Sequence, residues 1–138
     1  MSDEHGQPAG DPVNHTGREL ELMLKGSKPL AMFYDSADNI DHAPFIPAPV
    51  FDPYVEAGKF VKGMRIFDLA VDPRTGKPYR LKYVLYALAE EAWRIPAMFL
   101  AIETSLKVQM PNEAIDRIKS SLLGYTDAEI EAYFGLRR

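Results

Sequence analysis

The chain has 138 residues, of which 46% are hydrophobic and 26% are charged, and its formal net charge is −4. This length and composition fit one globular domain and are too apolar for a chain that is disordered throughout. Cysteine is absent, which excludes disulfides, thiol nucleophiles and cysteine-ligated metal sites. We expect a soluble cytoplasmic protein, because the longest apolar run, residues 95–102, is too short to span a bilayer and residues 1–15 do not resemble a signal peptide.

The N-terminal segment differs in composition from the rest of the chain. Residues 1–15 are rich in Gly, Pro, Asp and Asn and contain no apolar stripe, which predicts a disordered tail. We expect residues 16–138 to form a single α+β domain. Thr16 and Glu19 have the spacing of a capping box, so this domain should begin with a short helix that ends at Gly26.

Extended segments follow this helix in the sequence. The compact apolar run at residues 29–34 is typical of a buried strand, whereas the prolines in residues 35–52 indicate an irregular loop. The runs 64–71 and 80–88 are rich in β-branched and aromatic residues. Because the residues between them, 72–76, have proline early and glycine late, they predict a reversing turn and an antiparallel hairpin.

Helical patterns account for most of the remaining chain. A short turn that starts with proline is predicted over residues 53–57. After the hairpin, apolar residues follow helical spacing almost all round, which predicts a central helix with Trp93 mostly buried. Asn112 should open a further helix, and a second capping box that starts at Thr126 should open the last one.

These elements combine into an α+β fold. The hairpin 64–88 and the strand 29–34 should form a small antiparallel sheet of about three strands. A central apolar helix and two C-terminal helices should pack against one face of this sheet. Since the cationic residues of the strand 80–88 alternate with apolar ones, the opposite face should be partly solvated.

Charge is divided unevenly along the chain. Residues 35–58 contain five acidic and no basic residues, whereas residues 59–82 contain seven basic and two acidic residues. The basic hairpin 59–82 presents Arg65, Arg80 and Lys82 beside tyrosines, a combination with which sheets bind nucleic acid. Nucleic-acid binding is therefore one hypothesis. The plainer hypothesis is a solvated surface that complements the acidic loop before it.

The acidic loop 35–42 is a candidate metal site. Hard cations bind oxygen-rich sets of side chains such as the one in this loop. Its candidate ligands are Asp35, Asp38, Asp41 and His42. The spacing is not that of a calcium-binding helix–loop–helix, and such residues more often cap turns through their side chains. A metal-dependent enzyme that uses this loop is accordingly a third hypothesis.

Residues suited to catalysis are sparse. His5 and His15 belong to the predicted tail, which leaves His42 as the imidazole best placed for general-base chemistry. Glu90 and Glu91 lie at a predicted helix start, where the helix dipole explains them. No glycine-rich phosphate loop or nucleophile motif can be identified. We therefore expect no cofactor and favour a non-catalytic protein.

A protein-binding module is the function that the sequence favours. Aromatic residues make up 11% of the chain, and tyrosine and tryptophan anchor many interfaces. We expect Tyr86 and Tyr133 to contact a partner, with Arg65, Arg80 and Lys82 supplying charge complementarity. An adaptor, an inhibitor or an immunity-type protein needs only such features. The expected partner is another protein, with nucleic acid or a second copy of the chain as alternatives, and no membrane.

Overall fold

A three-stranded antiparallel sheet lies at the centre of the computed structural model, which describes residues 15–38, 45–108 and 112–136. Strand β1 is Leu30–Ser36, β2 is Phe60–Val71 and β3 is Pro78–Leu88. Their spatial order is β1-β3-β2, so β3 pairs with both other strands. The predicted α+β class, with a hairpin and one earlier strand in a single sheet, is confirmed.

The turn between β2 and β3 forms as its sequence predicts. The backbone N–H of Asp72 donates to the carbonyl of Lys77 at 2.8 Å, which closes the turn. The carboxylate of Asp72 in turn accepts the backbone N–H of Arg74 at 2.9 Å. Gly76 has a φ of 71°, a conformation that glycine adopts without strain because it has no Cβ. Both strands are longer than predicted, because β2 begins at Phe60, nearer α2, and β3 begins at Pro78, nearer the turn.

Helices precede, interrupt and follow the sheet. They are α1 Glu19–Leu24, α2 Ala48–Glu56, α3 Arg94–Val108, α4 Glu113–Leu122 and α5 Asp127–Leu136, and a 3₁₀ turn at Ala89–Glu91 leads into α3. The predicted cap of α4 is present, because the side chain of Asn112 accepts the N–H of Ile115 at 3.1 Å. The capping box of α5 is also present, with reciprocal bonds of 2.7 and 3.1 Å between Thr126 and Glu129.

Two helix starts differ from the sequence prediction. Helix α1 begins at Glu19, and the carboxylate of Glu19 accepts the N–H of Gly17 at 3.0 Å, so Thr16 is not its N-cap. Helix α2 begins at Ala48 and includes Pro53, where only a short turn was expected. Pro49 is in the first turn of α2, where its missing donor would have had no intrahelical partner, so it is compatible with the helix start. Pro53 lies inside the helix and removes one intrahelical hydrogen bond.

Apolar side chains are buried on both faces of the sheet, which corrects the expectation of helices on one face. The consecutive residues Leu85 and Tyr86 point to opposite faces, and both are fully buried at 0% exposure. The cluster on the α3 face contains Leu30, Phe67, Leu85, Ala87, Ile95, Met98, Ile102 and Leu122. The cluster on the α2 face contains Met23, Ala31, Ile46, Phe51, Phe60, Val84 and Tyr86. β3 is therefore covered on both sides along its second half.

The boundary of the predicted N-terminal tail also changes. Residues 1–14 lie outside the described residues, so their predicted disorder stays a prediction. His15, which was assigned to the tail, is only 8% exposed. Its ring stacks on that of Tyr125, with the centroids 3.8 Å apart. His15 is thus packed against the fold.

Candidate functional site

A line of apolar side chains on α3 faces solvent. Trp93, immediately before the helix, is 57% exposed, and Leu100 is 63% exposed. Pro96 lies between them and is exposed as well. These positions are separated by three, four and seven residues, so they lie on one side of the helix. We call Trp93, Pro96 and Leu100 the α3 stripe.

The α3 stripe corrects the prediction that Trp93 is buried. The opposite side of α3 supplies Ile95, Met98 and Ile102 to the core, where each is at most 8% exposed. A helix packed on a sheet buries one side only, and the residues of the α3 stripe lie on the other side. The apolar pattern was visible in the sequence, but the sequence does not say which side the sheet covers.

Arg94 positions the ring of Trp93. Its guanidinium carbon lies 4.7 Å from the ring centroid, which is within cation–π distance. The same side chain donates to Glu91 at 2.7 Å and to the carbonyl of Leu122, at the end of α4, at 3.2 Å. Because Arg94 is held from two directions, the exposed indole has a rigid support.

The three cations predicted to contact a partner do not form one surface. Arg65 pairs with Tyr83 in the sheet register and lies on the α3 face, where it contacts Glu103 at 3.3 Å. Arg80 and Lys82 occupy alternate positions of β3 on the other face. Arg80 contacts Asp68 of the neighbouring strand at 3.2 Å. The sheet therefore separates Arg65 from Arg80 and Lys82.

Other cations of the basic hairpin are also paired with carboxylates. Lys62 contacts Asp52 of α2 at 3.0 Å, and Arg74 contacts Asp72 of its own turn at 3.2 Å. The Lys62 pair does join the basic hairpin to the acidic segment before it. The pairs of Arg65, Arg74 and Arg80 instead use acids of the hairpin itself or of α3.

Tyr86 lies in the core, which corrects its assignment to an interface. It is 0% exposed, and its ring stacks on that of Phe51 at 4.7 Å. Its hydroxyl donates to Asp52 at 2.8 Å, and burial together with this bond raises the pKa of Tyr86. Burial raises the pKa of Asp52, but the bonds from Lys62 and Tyr86 outweigh it and the net pKa is lowered. α2 covers this position, and no local pattern in β3 predicts that contact.

Tyr133 remains a candidate for partner contact. It lies on α5 and is half-buried, and its ring packs edge to face against Phe134 with the centroids 5.1 Å apart. The guanidinium of Arg117 lies over the Phe134 ring at 4.8 Å. This aromatic pair is therefore attached to α4 and lies on a different helix from the α3 stripe.

The acidic loop is only partly described, because Asp41 and His42 lie outside the described residues. Asp35 is 6% exposed, and its carboxylate accepts the N–H of Ser36 at 2.7 Å and that of Phe45 at 3.2 Å. Asp38 is exposed, and its own N–H donates to the hydroxyl of Ser36 at 3.2 Å. These bonds are those of a capped turn. Within the described ranges no group of three or more potential ligands could hold a metal ion.

A buried polar cluster was missed by the sequence analysis. Lys28 is 2% exposed, and its ammonium group lies 2.9 Å from Nδ1 of His15 and 2.6 Å from the carbonyl of Leu123. Tyr125 stacks on His15 and completes the cluster. A lysine between a glycine-serine pair and a proline gives no local sign of burial. The contact depends on residues that are distant in sequence.

Comparison with known proteins gives no relative from which a function could be transferred. No protein-family model, curated protein or solved structure matches the chain. Where the structure describes the chain, no helix is long and apolar enough to cross a membrane. The function is therefore argued from the geometry of the α3 stripe and of the charged groups.

Proposed function

We propose that this protein is a non-catalytic protein-binding module, of the adaptor, inhibitor or immunity type, and that it contacts its partner through the α3 stripe. The exposure of Trp93 and Leu100 on the same side of α3 carries this proposal. Large apolar side chains that share one exposed surface mark interaction sites more often than isolated ones do. Tryptophan is also among the residues most enriched at the energetic centres of interfaces.

The support beneath Trp93 favours binding over incidental exposure. Arg94 is bonded to Glu91 and to the end of α4, and its guanidinium covers one face of the indole. A side chain that is already ordered loses less conformational entropy when a partner covers it. The rigid support of Trp93 therefore contributes to affinity.

Nucleic-acid binding through the basic hairpin is the weaker alternative. Lys62, Arg65 and Arg80 each lie within 3.3 Å of a carboxylate oxygen, and a phosphate would have to displace that partner. The sheet also places Arg65 on the face opposite to Arg80. Both features reduce the counterion release from which nucleic-acid affinity comes.

The test compares variants of the α3 stripe with a matched control on another helix. Leu100→Asp places a charge in the stripe, whereas Ile118→Asp changes an isoleucine of α4 that is 54% exposed. Both variants and the parent protein are used as bait in lysate of the source cells, after circular dichroism has shown that each is folded. We expect the parent and Ile118→Asp to retain one stoichiometric protein and Leu100→Asp to lose it.

The proposal is wrong if Leu100→Asp and Trp93→Ala retain the same protein as strongly as the parent does. Sedimentation of the parent protein examines the case in which the partner is a second copy of the chain. A dimer that Leu100→Asp converts to a monomer would place that second copy on the α3 stripe.

A further inference from the structure

His15 is held against the opposite end of the described chain. Its backbone N–H donates to the hydroxyl of Tyr125 at 3.2 Å. Its ring stacks almost parallel on the Tyr125 ring, at an interplanar angle of 7°. Tyr125 lies between α4 and α5, and the carbonyl of His15 accepts the N–H of Arg18 at 2.9 Å. The turn at residues 15–18 is thus fixed to the α4–α5 connection through His15.

The hydrogen bond to Lys28 sets the protonation state that this contact requires. A lysine ammonium group can only donate, so Nδ1 of His15, 2.9 Å away, must accept and must carry no proton. Lys28 itself is 2% exposed and has little access to water. A proton on Nδ1 would remove the acceptor and would place two cations in direct contact in a buried site.

The charged groups around the cluster do not cancel this conflict. Glu129 of α5 favours a charged His15, whereas Arg18 of the adjoining turn and Lys28 oppose it. Burial is the largest influence, and with Lys28 it lowers the pKa of His15 to about 4 despite Glu129. On the lysine side, burial lowers the pKa of Lys28 to about 8, although Glu19 and Glu129 raise it. Lys28 therefore stays charged wherever His15 titrates.

Tyr125 does not supply a compensating charge. Burial raises the pKa of its hydroxyl, so Tyr125 is neutral throughout the acidic range. Its ring lies 5.3 Å from the ammonium group of Lys28, at cation–π distance. The titratable groups that act on the hydroxyl of Tyr125 are Glu19, Glu129 and Tyr133, whereas His15 acts on it through its backbone N–H. None of these groups offers a protonated His15 a buried acceptor at Nδ1.

We propose that the His15–Lys28–Tyr125 cluster is an acid-released latch, which fixes residues 15–18 to the α4–α5 connection while His15 is neutral and frees them when His15 takes a proton. The free energy that holds the latch is present above pH 6.5, the ordinary pKa of histidine, and is lost as the pH falls toward 4. Release exposes Lys28 and one face of Tyr125.

Nuclear magnetic resonance of the imidazole protons tests the latch directly. A ring stacked at 3.8 Å on Tyr125 experiences an upfield ring-current shift, and a released ring does not. We expect the ring protons of His15 to be upfield-shifted at neutral pH. They should lose that shift between pH 6.5 and 4, while the core methyl signals of Leu85 and Ile102 persist.

Two lysine variants separate the latch from a general effect of charge. Lys28→Met removes the buried cation, so the pKa of His15 should rise part of the way from about 4 toward 6.5, because burial, the larger cause of the lowered pKa, remains. Lys25→Met removes an exposed lysine, 61% exposed and paired with Glu21, and should leave the pKa of His15 unchanged. The proposal is overturned if His15 of the parent protein titrates near 6.5, if its upfield shift survives protonation, or if the core signals vanish at the same pH.

Discussion

At the scale of single residues, Trp93 shows how exposure changes the consequence of a mutation. Because its side chain is 57% exposed, Trp93→Ala should lower the free energy of unfolding by less than about 1 kcal/mol. The same truncation at Met98, which is 0% exposed, should cost about 2–5 kcal/mol through lost burial and a cavity. Urea unfolding of both variants measures the difference. Equal midpoints for the two variants would contradict the placement of Trp93 on the surface.

Because the pKa of Lys28 is lowered in the fold, loss of its proton should make the protein more stable as the pH rises above 8. Its pKa in the fold is about 8 against 10.5 in the unfolded chain, so between these values the unfolded chain binds more protons. The free energy of unfolding should therefore increase by about 1–2 kcal/mol between about pH 8 and about pH 9.5. The range stops there because tyrosines with raised pKa values, such as Tyr86 and Tyr125, oppose the trend at higher pH.

Chemical denaturation at the two pH values checks this prediction. Lys28→Met should abolish the increase, since it removes the buried group that loses a proton. Lys25→Met should preserve it, because Lys25, the C-cap residue of α1, is exposed to solvent. A parent protein whose stability is flat or falls across this range would show that Lys28 is not buried as a cation.

At the scale of elements, the contact between α3 and β2 depends on Gly63. A Cβ at this position would lie 2.5 Å from Cγ2 of Ile95, so α3 or the strand would have to move. Gly63→Ala should therefore cost about 1–3 kcal/mol, the usual range for overpacking. Gly135→Ala is the matched control, since a Cβ there meets nothing within 4 Å and alanine favours α5 by up to about 1 kcal/mol. Thermal unfolding should shift in opposite directions for the two variants.

The elements that could be predicted from the sequence are those specified by neighbouring residues. The turn that contains Gly76 and the capping box of Thr126 and Glu129 are local, and both form as predicted. The hairpin strands follow from β-branched and aromatic residues over a few positions. Tyr86 and Trp93 were placed wrongly because the packing of α2 and of the sheet decides which side of β3 or α3 is covered. That packing brings together residues that are distant in sequence, so it cannot be predicted from the spacing of neighbouring residues.

The candidate site was less predictable than the fold for the same reason. Arg65, Arg80 and Lys82 are close in sequence, but the alternation of strand residues places them on two faces. The cluster of His15 and Lys28 depends on Leu123 and Tyr125, about a hundred residues away in the chain. The charge and aromatic content of the sequence indicated which types of side chain a binding site could contain. Tertiary contacts determine which of these side chains lie together and which are exposed.

At the scale of the whole molecule, four of the seven cations of the basic hairpin are ion-paired within the fold. The formal net charge of −4 gives no long-range attraction toward phosphates, and the cations Lys62, Arg65 and Arg80 are already ion-paired. We therefore expect no appreciable binding to a labelled single strand or duplex, at low or at physiological salt. Exposed ion pairs contribute only about 0–1 kcal/mol each, so Arg65→Ala and Arg80→Ala should barely change the free energy of unfolding.

Fluorescence titration at the two salt concentrations decides between the two uses of the hairpin. Micromolar binding that weakens with salt, and that Arg80→Ala reduces, would mean that phosphates displace Asp68 from Arg80. The hairpin and not the α3 stripe would then be the functional surface. If binding is absent even at low salt, where electrostatic attraction is strongest, nucleic acid is removed as a partner of the hairpin, and the exposed side of α3 remains the surface that we propose for binding another protein.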